Sequence, residues 1–149
     1  MKIHIGSDHN GFAYKQQLIA ALQKMGHDVI DEGDKVDNPD DDFPEFAGKV
    51  SVALLADSDP NARGILICGS GQGMCMAANR FKGIRASLCW NEEEAKASRN
   101  DDDSNVLCLS SRYISLNETE SIINVWLNTA FAGAPRFVRR NQALDQLGN

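Results

Sequence analysis

The sequence predicts an α/β fold: a parallel sheet with helices on both faces. Two observations carry this. Short β-branched runs alternate along the chain with longer stretches of helical period, the pattern of repeated βα units. One of those runs, Gly64-Ile-Leu-Ile-Cys68, passes directly into the glycine-rich turn Gly-Ser-Gly-Gln-Gly73 and then a helix, as strands do at the ligand-binding edge of an open sheet. A chain of 149 residues that is 42% hydrophobic and 24% charged can bury an ordinary core, so one domain over residues 1–149 is expected and a disordered chain is excluded.

The elements follow in order. Lys2–Gly6 alternates as a first strand, and Phe12, Leu18, Ile19 and Leu22 space as a helix stripe. Asp28–Asp31 is the second strand. The stretch Asp34–Pro44 holds Asp34, Asp37, Asp40, Asp41 and Asp42 with two prolines, so it reads as an exposed, solvated acidic loop before a helix that begins near Pro44. It lacks the D-x-D-x-D-G order of a calcium loop. Phe46, Val50, Ala53 and Leu54 stripe that helix. Gly64–Cys68, Arg85–Leu88 and Asn105–Leu109 are the third, fourth and fifth strands, and Ile122, Ile123, Trp126 and Leu127 mark a late helix. After Gly133 and Pro135, the basic segment with Arg136, Arg139 and Arg140 reads as a terminal helix outside the repeat.

Charge and composition narrow the function. A formal charge of −6 repels rather than gathers nucleic acid, so an anionic ligand must be held locally. No apolar run approaches the roughly 18 residues of a membrane span, and Met1 opens straight into a strand; a cytoplasmic protein without a membrane partner is expected. Cys68, Cys75, Cys89 and Cys108 form no C-x-x-C pair and sit among apolar neighbours. They read as reduced thiols, with neither a disulfide frame nor a metal site.

The chemistry concentrates at the strand ends. Glycines let the backbone approach a ligand, and amides at a helix start can hold an oxyanion. A dinucleotide site would place its glycines on the first strand, whereas Gly69, Gly71 and Gly73 follow the third, and no Gly-Lys-Ser/Thr follows for a Walker loop. Cys68 closes its strand beside these donors, where a thiolate is favoured. Asp8 and His9 follow the first strand, on the same rim of a parallel sheet. A positioned base beside fixed donors suits proton abstraction next to a carbonyl. Arg136 and Arg140, four apart, share a helical face on which two guanidinium forks could grip a phosphate.

These motifs resemble the sugar-phosphate isomerase family that contains the B-type ribose-5-phosphate isomerases and the galactose-6-phosphate isomerase subunits. The likeness runs almost end to end, through Gly6-Ser-Asp-His-Asn-Gly11, Gly26-His27-Asp28-Val29-Ile30-Asp31, Asp42-Phe43-Pro44, Gly64–Gly73, Ala77-Ala78-Asn79-Arg80, Gly83-Ile84-Arg85-Ala86, Asn105-Val106-Leu107 and Arg136 with Arg140. It implies a Rossmann-like three-layer sandwich and a homodimer with active sites at the subunit interface, sometimes paired into tetramers, the C-terminal helix extending to the partner. It also implies a cofactor-free aldose–ketose isomerisation through an enediolate. By position, Cys68 is then the base between C1 and C2, Ser70 shuttles protons between the oxygens, and the backbone of Gly69, Gly71, Gln72 and Gly73 stabilises the enediolate. Asp8 and His9 contact the sugar; Arg112, Arg136 and Arg140 hold the phosphate.

Departures from the family bear on the substrate. The family's His-Asn pair, whose histidine is assigned to ring opening, falls on Asp101 and Asp102; Phe43 and Phe137 replace a tyrosine and a histidine. His4 and His27, expected at the core or rim of strand one and in solvent near strand two, are poor substitutes. Either Asp101 or Asp102, raised in pKa by its aspartate neighbours, takes over the proton transfers of ring opening, with Asp101 the first candidate and Asp102 contacting the sugar, or the substrate has no ring to open. Ribose 5-phosphate/ribulose 5-phosphate is therefore the family default. An open-chain tetrose pair such as erythrose 4-phosphate/erythrulose 4-phosphate is the alternative. A sugar-phosphate-binding module without catalysis is a reading of another class, and an unrelated flavodoxin-like regulatory domain would require the likeness to be chance.

Overall fold

A computed structural model describes residues 1–147. Five strands, β1 (Lys2–Ser7), β2 (Asp28–Asp31), β3 (Arg63–Cys68), β4 (Ala86–Leu88) and β5 (Val106–Ser110), form one sheet in the order β2-β1-β3-β5-β4, every neighbouring pair parallel. Six α-helices connect and follow them: α1 (Phe12–Lys24), α2 (Phe43–Ala56), α3 (Gln72–Ala78), α4 (Glu92–Asn100), α5 (Leu116–Asn128) and α6 (Pro135–Leu144). A 3-10 turn, His9–Gly11, joins β1 to α1. No helix among the described residues is long and apolar enough to cross a membrane.

The period-2 alternation of the central strands divides the core in two. Ile65 and Ile67 of β3, with Ile3, Ile5, Leu107 and Leu109, pack on Leu18 and Leu22 of α1 and on Ile122, Ile123 and Trp126 of α5. Leu66 and Cys68 point the other way, with Val106 and Cys108, against Phe46, Val50 and Leu54 of α2 and Met74 and Ala78 of α3. Such double burial of a parallel strand explains its nearly unbroken apolar run. Cys68 is thereby fixed on the face covered by α3.

The expected strands stand within a residue of the observed ones, and Pro44 lies in the first turn of α2. His27 departs from expectation: its Nδ1 is buried with no hydrogen-bond partner, and burial holds its pKa below the ordinary histidine value. His4 is buried between two carboxylates, Glu32 at 2.8 Å and Asp57 at 2.9 Å. The acidic loop is exposed over residues 35–40, as expected, but its start is tied down. Fully buried Lys15 ties its start down through Asp31, at 2.7 Å, and the Asp34 carbonyl, at 2.9 Å.

Candidate active site

The chain leaves β1 toward β2 on one side and β3 toward β5 and β4 on the other. The crevice between the carboxyl ends of β1 and β3 is thus the switch point at which an open α/β sheet binds ligands. Ser7 pairs with Ile67 across it, so the next residues, Asp8 and Cys68, face each other at the rim.

Cys68 is buried, and the Gly71 amide donates to its Sγ at 3.1 Å. Gly71 has φ +77, and a Cβ there would meet Leu88 Cδ1 at 2.6 Å and the Leu109 carbonyl at 3.0 Å. Both the left-handed backbone and the lack of space demand glycine. Ser70 Oγ accepts from the Gln72 amide at 3.3 Å. Two amides expected to face an oxyanion, those of Gly71 and Gln72, are therefore occupied within the turn at rest.

Around the turn stand the other rim residues. The Arg112 guanidinium lies against Gly69, where a Cβ would be 3.0 Å from its Cζ and Nε. Its Nη2 donates to Asn10 Oδ1 at 2.8 Å. Phe43 covers Gly73, 3.0 Å from where a Cβ would be. Asp8 caps the 3-10 turn by accepting from the Gly11 amide at 3.2 Å; burial lifts its carboxyl above the usual range, with the Gly11 hydrogen bond opposing. His9 Nδ1 sits 2.6 Å from Asp41 Oδ1, which also accepts from the His9 amide at 3.1 Å. That carboxylate raises the His9 pKa above its ordinary value. Asp41 was expected in a solvated loop, yet its side chain is only 5% exposed. Sequence reasoning missed Asp41 and Asn10 because only the folded loop brings residue 41 to residue 9.

A second thiol, Cys75, lies behind the turn and donates to the Ala86 carbonyl at 3.4 Å. Hydrogen bonding with the Cys108 thiol lowers the Cys75 pKa to about 7, against a desolvation that opposes it, while burial pushes Cys108 well up. Among the described residues no group of three or more His, Cys, Asp or Glu side chains is arranged to hold a metal ion.

The remaining expected site residues are elsewhere. α4 runs back from the carboxyl rim, so Asp101 and Asp102 stand just before β5, at the amino end of the sheet. Asp101 accepts from Asn100 Nδ2 at 2.7 Å. The three aspartates are not left to repel one another: Asp103 takes Arg85 at 3.0 Å and buried Arg99 at 2.7 Å. α6 lies at that same end. The Ala132 amide before it reaches the Asn100 carbonyl at 3.0 Å, Phe137 is buried, and Asp145 after it meets Arg85 at 3.8 Å. Arg136 and Arg140 are therefore separated from the Cys68 of their own chain by the length of a strand, roughly 15–20 Å. A cavity of about 610 Å³ lined by Asn79, Arg85, Ser87, Asp102, Ser104 and Asp145 opens there.

The Ribose/Galactose Isomerase family matches residues 3–144 of the chain. Over 131 residues, 88% of this chain and 85% of the relative, it is 43% identical to the probable ribose-5-phosphate isomerase B of Mycoplasma pneumoniae. To the ribose-5-phosphate isomerase B of Escherichia coli (strain K12) it is 38% identical over 146 residues, 98% of this chain and 95% of the relative. Among solved structures, it matches ribose-5-phosphate isomerase B from Mycoplasma genitalium with bound ribulose-5-phosphate at TM-score 0.91 and 39% identity, covering 97% of this chain and 93% of that one. A ribose 5-phosphate isomerase from Thermotoga maritima matches at TM-score 0.92 and 36% identity, covering 98% of each chain.

Proposed function

Because the chain belongs to the Ribose/Galactose Isomerase family, we propose that it is an aldose–ketose isomerase, one domain in extent, that interconverts ribose 5-phosphate and ribulose 5-phosphate. The observation that carries the reading is Cys68, held by the Gly71 amide at the β1/β3 crevice with Asp8, His9 and Arg112 around it. The Cys68 thiolate takes the proton from C2 of the aldose and returns it to C1, while Ser70 moves the hydroxyl proton between O2 and O1. Backbone amides of Gly69–Gly73 meet the charge of the enediolate, Asp8 and His9 bind sugar hydroxyls, and Arg112 binds phosphate. No cofactor takes part in this scheme.

The separation of Arg136, Arg140 and Asp101 from Cys68 supports a homodimer, or a tetramer of such pairs, in which each Cys68 rim is completed by the amino-end residues of a second subunit. Four unpaired thiols suit a reducing compartment, and we place the reaction in the cytoplasm.

A second reading has its own observation: an aspartate, Asp101, stands where the family opens rings with histidine. A tetrose 4-phosphate cannot close a furanose because its 4-oxygen is esterified, so it needs no ring opener. Initial rates with four-, five- and six-carbon aldose phosphates decide between them. The pentose pair should give the highest kcat/KM, and Asp101→Ala should lower it. A preference for erythrose 4-phosphate unaffected by Asp101→Ala establishes the tetrose reading, and binding without turnover of any of them establishes a non-catalytic module.

A further inference from the structure

Arg112, His9, Asn10 and Asp41 form one hydrogen-bonded chain across the rim, and its directions can be read from chemistry alone. A guanidinium only donates, so the Asn10 atom 2.8 Å from Arg112 Nη2 is the carbonyl oxygen. The other end of that amide, 2.9 Å from His9 Nε2, is then the NH2 group, and Nε2 must accept. The imidazole proton therefore sits on Nδ1, donated to Asp41 at 2.6 Å. The resting chain is complete only for neutral His9 in its Nδ1–H form. Asp41 itself is delivered by a loop built for the purpose: Lys15 pins its start to Asp31 and the Asp34 carbonyl, and a turn at Asn38 accepts the Asp41 amide at 3.2 Å.

An anion that takes Arg112 breaks this arrangement. Its oxygens compete with Asn10 Oδ1 for the guanidinium, and once Arg112 turns away, the Asn10 NH2, which also donates to the Asp8 carboxylate, can leave His9 for that acceptor. Nε2, now beside a dianion, gains a proton and becomes a donor, with Asp41 stabilising the opposite edge of the ring. We propose that Asp41 and Asn10 are positioning residues: Asp41 sets the tautomer of His9, and Asn10 holds His9 and Arg112 in a resting pair that substrate phosphate opens, with uptake of one proton at His9 Nε2. The proton comes from solvent, and no bond other than N–H is made. The inference rests on the reading of Arg112 as a phosphate ligand. The charged groups facing His9 are Asp8 at the end of β1, Asp37 and Asp41 in the loop, and Arg112 after β5. The three carboxylates favour the imidazolium. Arg112 and the Asn10 NH2 oppose it until phosphate arrives.

The test is a nitrogen-15 and carbon-13 NMR titration of the full chain labelled at histidine, with His9→Gln assigning the resonance among the three histidines. Free His9 above its titration midpoint should show a protonated Nδ1 and a bare Nε2. Asp41→Asn should abolish that preference and lower the midpoint, and Asp41→Glu should restore both. Asn10→Ala should raise the midpoint of the free protein. Inorganic phosphate should raise the wild-type midpoint by roughly one pH unit and the Asn10→Ala midpoint by less. In turnover, Asp41→Asn should raise KM for ribose 5-phosphate several-fold more at pH 8 than at pH 6, with kcat changing little. An Nε2–H tautomer in the wild type, or the same midpoint in wild type and Asp41→Asn, overturns the relay. Phosphate that leaves the midpoint unmoved overturns its coupling to the ligand. The NMR signature in a protein that turns over no sugar phosphate supports the relay and overturns the isomerase reading instead.

Discussion

Gly71→Ala is the substitution whose cost the structure defines best. The backbone at Gly71 has φ +77, and the added methyl would stand 2.6 Å from Leu88 Cδ1 and 3.0 Å from the Leu109 carbonyl carbon and oxygen. A left-handed conformation costs an L-residue about 1–2 kcal/mol. Overpacking against the end of the Leu88 side chain and the β5 backbone adds about 1–3 kcal/mol, so the expected loss is about 2–5 kcal/mol. Gly26→Ala separates the two contributions, since Gly26 has φ +87 and nothing within 4 Å of the added carbon; only the backbone cost, about 1–2 kcal/mol, applies there. Urea unfolding of the three proteins measures both, and at about 2–4 °C per kcal/mol for a chain of this size the Gly71 variant should also melt roughly 4–20 °C early. The Gly71 amide holds the Cys68 sulfur, so Gly71→Ala should lose turnover even where it is fully folded, while Gly26→Ala keeps it. Equal stability of the two variants, or normal turnover in folded Gly71→Ala, would refute the reasoning.

Other outcomes are as specific. Asp57 accepts from His4, Lys2 and the Asp59 amide, and these hold its carboxyl well below the usual carboxylate range, the Asp59 hydrogen bond contributing most. A depressed native pKa stabilises the fold above about pH 4 and loses that stabilisation as pH falls further, so Asp57→Asn should flatten the acid side of a stability–pH curve; an unchanged curve contradicts the cluster. Cys75, with its pKa lowered to about 7, should alkylate with iodoacetamide along a curve rising through neutral pH, ahead of Cys108, as followed by peptide mass spectrometry; reaction only above pH 8.5 would deny the Cys75–Cys108 hydrogen bond. Arg140→Ala should raise KM for ribose 5-phosphate at least tenfold while leaving the melting temperature nearly unchanged, because the side chain is exposed on α6; an unaltered KM removes it from the phosphate site.

Much of this was legible in the sequence because it depends on local pattern. The unbroken apolar run of β3 and the glycines after it place Cys68 at a rim, and Asp8-His9 after β1 share that rim in any parallel sheet. What was not legible depends on long-range closure. Asp41 reads as one more acid in a run of acids, and nothing local distinguishes it from Asp40; only the Lys15 anchor and the Asn38 turn bury it against a histidine 32 positions earlier. Arg136 and Arg140 are visible as a helical pair, but that α6 lies at the amino end of the sheet follows from contacts of Ala132 and Asp145 with distant residues. The aspartate triplet misled in a similar way: Arg85 and Arg99 reach Asp103 from other elements and take up the charge, so its three carboxylates cannot be treated as a bare repelling run.

The central claim is that each active site joins Cys68 of one subunit to Arg140 of another, and subunit mixing tests it most directly. Cys68→Ala and Arg140→Ala each damage every site in their own homodimers. In a heterodimer of the two, one site carries both defects and the other carries Cys68 and Arg140 intact. After unfolding and refolding together in equal amounts, half the dimers are mixed, so ribose 5-phosphate isomerisation should recover to about a quarter of the wild-type rate per subunit. A mixture no more active than the average of its two parents would contradict the shared site.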